Sequence, residues 1–293
     1  NIVNPRVSGR TGIFPLVRTM DANGTTIDEA SSVWSRDMRP NGFLINPGGF
    51  TAGPVVLLST VDAGATGNIT LTATLKNPLP SDGQIVIHFP HSFKSVAQPA
   101  SSITLFARES LQGIFEPTDE MSADVRGLNV TLTSGGTRRA ISAGGAIRLT
   151  LPGAMNMRHV GSTGVWPLIR TALSNGTAID EASSEFNAGL RAAAVAIGPG
   201  RFARAPSIAP LDPRAGAYTS LQLNFTSSNF VDADGALKLT LPGGVTSDFT
   251  AVDATFPVVL RHDVIVDEGL HGVALFDGLN WQLNVSRDGR GAS

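Results

Sequence analysis

The chain has 293 residues, 42% apolar and 16% charged, so it is long enough for about two packed domains and too apolar to be disordered as a whole. A formal net charge of −2 gives no basic surface for nucleic acid, and we expect no nucleic-acid partner. The sequence has no apolar run near the roughly 18–20 residues of a membrane-spanning helix and no signal segment at its start, which predicts a soluble, mature or excised stretch without a membrane span. It has no cysteine, so we expect neither disulfides nor thiolate chemistry.

Short β-strands with period-2 alternation are the dominant local pattern. In residues 68–75 Ile69, Leu71 and Leu75 alternate with polar residues. Helical periodicity is confined to residues 28–39 and 180–194, each long enough for one or two turns. These elements predict an all-β fold of tandem antiparallel β-sandwiches, immunoglobulin-like or fibronectin-III-like. The other predicted strands are 84–89, 103–106, 129–133, 146–151, 221–226, 237–241, 258–261 and 281–285.

An internal repeat organises the sequence. Residues 11–32 align without gaps on residues 163–184, with 15 of 22 positions identical. The same offset of 152 aligns further pairs, and the match resumes at an offset of 151 for residues 128–132 on 279–283. We therefore predict a repeat unit of about 152 residues. The aligned pairs include Gly48 with Gly200, Asn77 with Asn229, Gly83 with Gly235 and Pro90 with Pro242.

The phase of this repeat predicts three parts. Residues 50–202 form one complete β-sandwich unit, residues 1–49 the end of a unit, and residues 203–293 the beginning of another. Neither end contains a copy of residues 144–152, GGAIRLTLP. Three arrangements can complete the last unit: residues 11–32 of another copy, further repeats of a longer polyprotein, or residues 11–32 folding back within one chain.

One stretch of the unit resembles a known class of proteins. The sequence GNITLTATLKNPLPSDGQIVIHFP, residues 67–90, has a strand, an N-x-L-x-x-D-G turn and a second strand ending in Phe-Pro. It is similar to a recurrent stretch in the tandem β-sandwich repeats of very large algal and protist surface and extracellular-fibre proteins, such as flagellar-hair or matrix proteins. The resemblance covers about 25 residues per unit. It implies a structural module and brings no catalytic residues.

No residue set predicts catalysis or a cofactor. His88 and His91 have a spacing that two metal ligands could use, but Thr240 and Gly243 replace them in the repeat, which favours a surface turn. The Gly-rich pieces 47–49 and 198–200 precede extended segments, so we interpret them as linkers. Residues 232–235 resemble the start of an EF-hand loop without its later Glu, and their counterpart, residues 81–83, predicts a hairpin turn. We therefore expect no enzyme.

The repeated sequence Ile-Asp-Glu-Ala-Ser leaves two interpretations open. Asp28, Glu29, Asp180 and Glu181 precede inter-unit segments, where arrays of extracellular sandwiches often bind Ca²⁺. Alternatively, a type I′ turn at Asn23-Gly24 would place Arg18 opposite Glu29, and the equivalent turn would place Arg170 opposite Glu181. A cross-strand ion pair would then explain both charges without a metal.

Asn-x-Ser/Thr sequons are in excess. The chain has six, whereas 15 Asn and 50 Ser plus Thr in 293 residues give about 2.6 by chance. Four lie on the polar faces of predicted strands and two in Asn-Gly turns, so all six could carry a glycan in a eukaryotic secretory source. The predicted sites are Asn23, Asn68, Asn129, Asn175, Asn224 and Asn284.

These observations favour a non-enzymatic structural module of an extracellular or cell-surface filament, with copies of itself or adjacent repeats as partners. An adhesin or carbohydrate-binding module is the alternative. Such modules need an exposed aromatic platform, and Trp34 is the one tryptophan that the strand pattern does not turn inward. An enzyme on a β-sandwich is the third and weakest hypothesis.

Overall fold

The computed structural model describes residues 3–99, 102–108, 114–134, 139–217, 219–229, 236–241, 254–262, 265–276 and 281–287. These residues form antiparallel β-sheets, and the described helix is limited to two 3₁₀ turns, Arg36–Met38 and Ala188–Leu190. The prediction of an all-β protein is confirmed. The chain divides into two compact units, Asn1–Arg201 and Phe202–Ser293.

The described part of the first unit contains sixteen strands. They are β1 (Gly9–Arg10), β2 (Leu16–Met20), β3 (Thr26–Ser31), β4 (Leu44–Ile45), β5 (Ala52–Leu58), β6 (Thr66–Thr74), β7 (Gln84–His88), β8 (Ser95–Val96), β9 (Ile103–Arg108), β10 (Glu116–Arg126), β11 (Asn129–Ser134), β12 (Ala146–Met155), β13 (Gly161–Ser162), β14 (Leu168–Ala172), β15 (Ala178–Ser183) and β16 (Ala196–Ile197).

Ten of these strands form one continuous sheet that curls until it is nearly closed. Its order is β15-β14-β7-β11-β10-β9-β12-β6-β5, with β8 also paired to β12. A parallel bridge between Gly48, just before β5, and Asp180 of β15 links the two ends. The apolar sides of the strands face inward, as Ile69 and Leu71 of β6 do, and build a large core. The repetition of an immunoglobulin-like sandwich along the chain stays a prediction.

The connection between β6 and β7 differs from the sequence-based expectation. The turn at Pro80 to Gly83 forms, with the Gly83 N–H donating to the Pro80 carbonyl at 3.0 Å. However, β6 pairs with β5 and β12, whereas β7 pairs with β11 and β14. The predicted hairpin at residues 81–83 is therefore wrong, because the two strands belong to separate parts of the sheet.

The segment before β5 contributes β1 to β4 to the first unit. β1 pairs with β4, and β2 pairs with β3 as a separate two-stranded hairpin. The Ser8 N–H donates to the Ala178 carbonyl at 2.9 Å, which joins this segment to β15. The sequence indicates one or two helical turns in residues 28–39 and 180–194. Residues 28–31 and 180–183 are instead strand, and the 3₁₀ turns follow them.

The described residues of the second unit form two separate sheets. Its strands are β17 (Phe202–Pro210), β18 (Leu221–Ser227), β19 (Ala236–Thr240), β20 (Ala254–His262), β21 (Ile265–Phe276) and β22 (Trp281–Arg287). β17 pairs with β18, and the other four follow the order β19-β22-β21-β20. By the repeat alignment, β19, β22, β21 and β20 correspond to β7, β11, β10 and β9. These four strands follow one another in the same order in the sheet of the first unit. β12, which joins β9 to β6 in the first unit, has no counterpart among the described residues of the second. The three-part division at residues 49 and 202 stays a prediction.

Candidate assembly site

The hairpin of β14 and β15 completes the first unit at one end of its sheet. β14 pairs with β7 along its whole length, with Leu168 opposite His88 and Thr171 opposite Ile85. Every residue of the hairpin strands is buried except Arg170, which is half-buried. Both faces of this hairpin are therefore covered, and the arrangement is a seated hairpin on the edge of β7.

A buried carboxylate fixes the outer strand of this hairpin. Asp180 has no exposed surface. Its Oδ2 accepts hydrogen bonds from the backbone N–H groups of Lys76 at 3.0 Å and Asn77 at 2.9 Å, and its Oδ1 accepts one from Asn77 Nδ2 at 2.8 Å. Burial raises the pKa of Asp180, and the hydrogen bonds from Asn77 and Lys76 oppose that rise. We call Asp180, Lys76 and Asn77 the carboxylate clamp.

Gly48 packs against the clamp. Its N–H donates to the Ile179 carbonyl and its own carbonyl accepts from the Glu181 N–H, both at 2.8 Å. A Cβ at this position would lie 2.3 Å from Asn77 Nδ2 and 2.5 Å from Asp180 Oδ1, so no larger residue fits. The interpretation of residues 47–49 as a linker is wrong, because Gly48 closes the sheet. Gly198 likewise bridges to Asp62.

An ion pair joins the two strands of the hairpin. Arg170 faces Glu181, and Arg170 Nε lies 2.7 Å from Glu181 Oε2. The Glu181 side chain is 3% exposed, so the pair is shielded from water on the acidic side. The predicted cross-strand pairing is confirmed. Asn187 extends the network by donating its Nδ2 to the Glu181 carbonyl at 2.9 Å.

An aromatic anchor precedes β14. Trp166 is 1% exposed, and its ring lies 4.8 Å from Phe89 and 5.7 Å from Phe93. Its backbone N–H donates to the Ala192 carbonyl at 3.1 Å. Burying a large aromatic side chain removes more apolar surface from water than any other residue type, so Trp166 is a main contact holding the hairpin to the core.

The hairpin of β2 and β3 has the same register as the seated hairpin. Arg18 lies opposite Glu29 and Thr19 opposite Asp28, as Arg170 lies opposite Glu181 and Thr171 opposite Asp180. The Arg18 Nη2 atom lies 2.7 Å from Glu29 Oε2. The two copies of the repeated sequence therefore form the same local structure.

The turn of this hairpin differs from the predicted type I′ turn. The Gly24 N–H donates to the Asp21 carbonyl, and Gly24 is left-handed with φ +84°, whereas Asn23 has no positive φ. This is a type I turn followed by a left-handed glycine. A bulge at Ile27, between the pairs Thr19–Asp28 and Met20–Thr26, restores the register. The predicted pairing of Arg18 with Glu29 is confirmed, although the predicted turn type is wrong.

The two hairpins differ in what covers them. Leu16 and Ile27 are 46% and 65% exposed, whereas their counterparts Leu168 and Ile179 are 7% and 2% exposed. Phe14 is 42% exposed where Trp166 is buried. Asp28 is exposed, and its Oδ2 accepts from Thr19 Oγ1 at 3.0 Å. The hairpin of β2 and β3 thus presents an apolar surface and a carboxylate that the seated copy buries.

The second unit contains the counterpart of β7, the strand on which the seated hairpin lies. β19 is the repeat counterpart of β7, and among the described residues β22 is its one partner strand. Asn229, the counterpart of Asn77, donates its backbone N–H to Ser227 Oγ at 3.2 Å. Leu241, which aligns with Phe89, is 5% exposed. In the part of the chain that the structure describes, no hairpin is seated on β19.

The predicted calcium ligands do not converge. The Asp180 carboxylate is bonded to Asn77, and the Glu181 carboxylate is paired with Arg170. In the other hairpin, the Asp28 carboxylate is bonded to Thr19, and the Glu29 carboxylate is paired with Arg18. Within the described residues, no group of three or more metal-binding side chains occurs. His88 lies in β7 and His91 is exposed in the turn after it. Residues 232–235, the EF-hand-like stretch, lie outside the described residues.

The predicted glycosylation sites are open to solvent where their side chains are described. Asn68, Asn129 and Asn224 are exposed on β6, β11 and β18. Asn23 and Asn175 are exposed in the hairpin turns. Asn284 lies on β22, but its side chain is outside the described residues. Glycosylation itself stays a prediction.

The chain matches no family model, and no curated protein is similar to it. In the described part of the chain, both helical turns are far too short to cross a membrane as a helix.

Proposed function

We propose that this chain is a structural module of an extracellular or cell-surface filament, built from repeated β-sandwich units that join head to tail. The hairpin of β2 and β3 docks on a β7-like edge strand of the neighbouring unit. In an assembly of separate chains that strand is β19 of another copy. In a longer polyprotein it belongs to the preceding repeat of the same chain.

The single observation that carries this proposal is the seated hairpin of the first unit. Residues 11–32 and 163–184 are two copies of one sequence that fold with the same register, and β7 covers the second copy but not the first. The seated copy therefore supports the proposal that the exposed copy docks on an edge strand like β7. Main-chain pairing to an edge strand supplies affinity, and side-chain pockets supply specificity.

The polarity of the contact favours an open chain of molecules. The donor hairpin and the acceptor strand are different surfaces, one in each unit of the chain. A contact between two different surfaces does not close on itself unless the rotation happens to form a ring, so it propagates into a filament. The exposed sequons Asn68 and Asn224 are consistent with an extracellular location.

Removal of the donor hairpin tests the proposal. We expect the full chain to form linear assemblies by sedimentation and electron microscopy, and a chain lacking residues 1–35 to stay monomeric with residues 50–202 folded. Fibres from the truncated chain would contradict the proposal. So would a wild-type chain that stays monomeric at millimolar concentration, or residues 1–49 found packed on residues 203–293 of their own chain.

Point variants separate the hairpin surface from general solubility. Leu16→Asp and Ile27→Asp each place a charge on the exposed face of the hairpin and should block assembly. Val160→Asp is the matched control, because Val160 is 62% exposed outside the hairpin. If all three variants assemble equally, the hairpin is not the donor.

A fluorescent probe reports docking directly. Phe14→Trp gives the donor hairpin the residue that its seated copy has at position 166. We expect its emission to shift to shorter wavelength as chains assemble, because the counterpart Trp166 is buried among Phe89 and Phe93. The measurement is made against the unmodified chain, whose other tryptophans are the same.

A carbohydrate-binding module is the second candidate, and Trp34 is the observation that favours it. Trp34 is 66% exposed, as a sugar-stacking platform requires. Its repeat counterpart is Phe186, which follows β15 and is half-buried. Glycan-array binding that Trp34→Ala abolishes, with assembly unchanged, would support this function.

A further inference from the structure

Two members of the carboxylate clamp, and the glycine packed against it, recur elsewhere in the chain. Asp180 aligns with Asp28, Asn77 with Asn229, and Gly48 with Gly200, each at the offset of 152. In the first unit the three residues are in direct contact. In the other set Asp28 belongs to the donor hairpin and Asn229 to the segment before the acceptor strand β19.

Asp180 and its counterpart Asp28 differ in burial and in hydrogen-bond partners. Asp180 is buried and accepts three hydrogen bonds from the β6–β7 connection. Asp28 is exposed, and the Asn229 N–H donates to Ser227 Oγ within its own segment. Asp28 and Asn229 therefore each hydrogen-bond within their own segment of the chain.

We propose that Asp28 and Asn229 form an intermolecular carboxylate clamp that sets the specificity of the head-to-tail contact, an inference that rests on the proposed function. Asp28 of one copy accepts hydrogen bonds from the backbone N–H groups of Ser228 and Asn229 and from the Asn229 side-chain amide of the next copy.

The physical reason for specificity is the cost of burying a carboxylate. A buried carboxylate without hydrogen-bond donors is strongly destabilising, so the donor hairpin docks well only where the Asn229 amides are in place. Conversely, a hairpin with an apolar residue at position 28 would leave the amides of Asn229 buried without an acceptor. The clamp therefore selects hairpins of this repeat over other exposed β-hairpins.

The test is a double-mutant cycle on the full chain. Asp28→Ala, Asn229→Ala and the double variant are compared by the dissociation constant of end-to-end association, measured by sedimentation. We expect each single variant to weaken association about 10-fold or more, because hydrogen bonds to a charged group are lost. We expect the double variant to be little weaker than either single one, since both changes remove the same contact.

Asp37→Ala is the matched control. It also removes one exposed negative charge from the N-terminal region, but its repeat counterpart is Gly189, in the 3₁₀ turn after β15, which has no carboxylate. We expect its association to match the wild type. Unfolding of the first unit should be the same in all these variants, because Asp28 and Asn229 are outside its core.

The outcomes separate this inference from the proposed function. If deletion of residues 1–35 abolishes assembly but Asp28→Ala and Asn229→Ala associate like the wild type, the clamp is overturned and head-to-tail assembly stands. Additive effects of the two single variants would also overturn it. If the deleted chain still assembles, both proposals fail.

Discussion

Arg170 and Glu181 lie directly opposite each other across β14 and β15, with Arg170 Nε 2.7 Å from Glu181 Oε2. Arg18 and Glu29 form the same pair across β2 and β3, also at 2.7 Å. The glutamate side chain is 3% exposed in the first pair and 14% exposed in the second. One ion pair thus occurs in two environments within a single chain, because β7 covers only one of the hairpins.

Glu181→Gln is predicted to destabilise the first unit far more than Glu29→Gln. Replacing Glu181 leaves the Arg170 guanidinium partly buried without its anionic acceptor, which costs about 2 kcal/mol. The exposed Arg18 remains hydrated when Glu29 is changed, so the second variant should unfold at the wild-type midpoint. Thermal and urea unfolding measure both. Equal shifts for the two variants would show that burial does not distinguish the pairs.

His88 is predicted to make the stability of the first unit depend on pH. Burial lowers its pKa, and the charge of Arg170 lowers it further, while Glu181 opposes both effects. Across β7, His88 faces Asn129 of β11 and Leu168 of β14, neither of which is charged. Between the folded pKa and the unfolded value of 6.5 the unfolded chain binds more protons, so stability falls as pH decreases through this window.

The variant His88→Thr checks this dependence, because Thr240 is the counterpart of His88 in the second unit. We expect this variant to lose less stability than the wild type as the pH falls through the window below 6.5. His91→Asn is the control, since His91 is exposed in the following turn. A wild-type profile in His88→Thr would contradict the prediction.

Local patterns in the sequence predict many strands of the fold but not others, such as β5, β10 and β21. Residues 68–75 and 129–133 alternate, and they lie within or overlap β6 and β11. β10 was missed, because Glu116–Arg126 is mostly polar and has one fully buried side chain, Met121. Its strand conformation follows from backbone pairing with β9 and β11 on both sides, which local alternation does not encode.

The clamp was missed for a related reason. Asp180 and Asn77 are 103 residues apart, and pairing over that distance depends on the order of strands in the sheet. The local sequence around Asp180 therefore indicates only a calcium ligand or a neighbour of a cross-strand ion pair. A signal was nevertheless present, because an Asp, an Asn and a Gly recur together at the same offset of 152.

Asn68 and Asn224 are predicted to carry glycans when the chain is secreted by a eukaryotic cell. Both are exposed on strands within Asn-x-Thr sequons. We expect the intact mass to fall on enzymatic deglycosylation, and Asn68→Gln and Asn224→Gln each to remove one glycan. Asn77, which has no sequon, serves as the unmodified reference in peptide mapping. An unchanged mass would remove the prediction.

Calcium is predicted to leave the stability of the first unit unchanged. A bound Ca²⁺ needs six to eight oxygen ligands, whereas the oxygens of Asp180 already accept three N–H groups and Glu181 is paired with Arg170. Binding with a dissociation constant of about 0.1 mM, within the range of extracellular modules, would stabilise the folded unit by about 2.7 kcal/mol at 10 mM Ca²⁺. Unfolding midpoints in 10 mM Ca²⁺, in 10 mM Mg²⁺ and in EDTA should therefore coincide. A midpoint raised by Ca²⁺ but not by Mg²⁺, and lost in Asp180→Asn, would instead place a cation at the clamp.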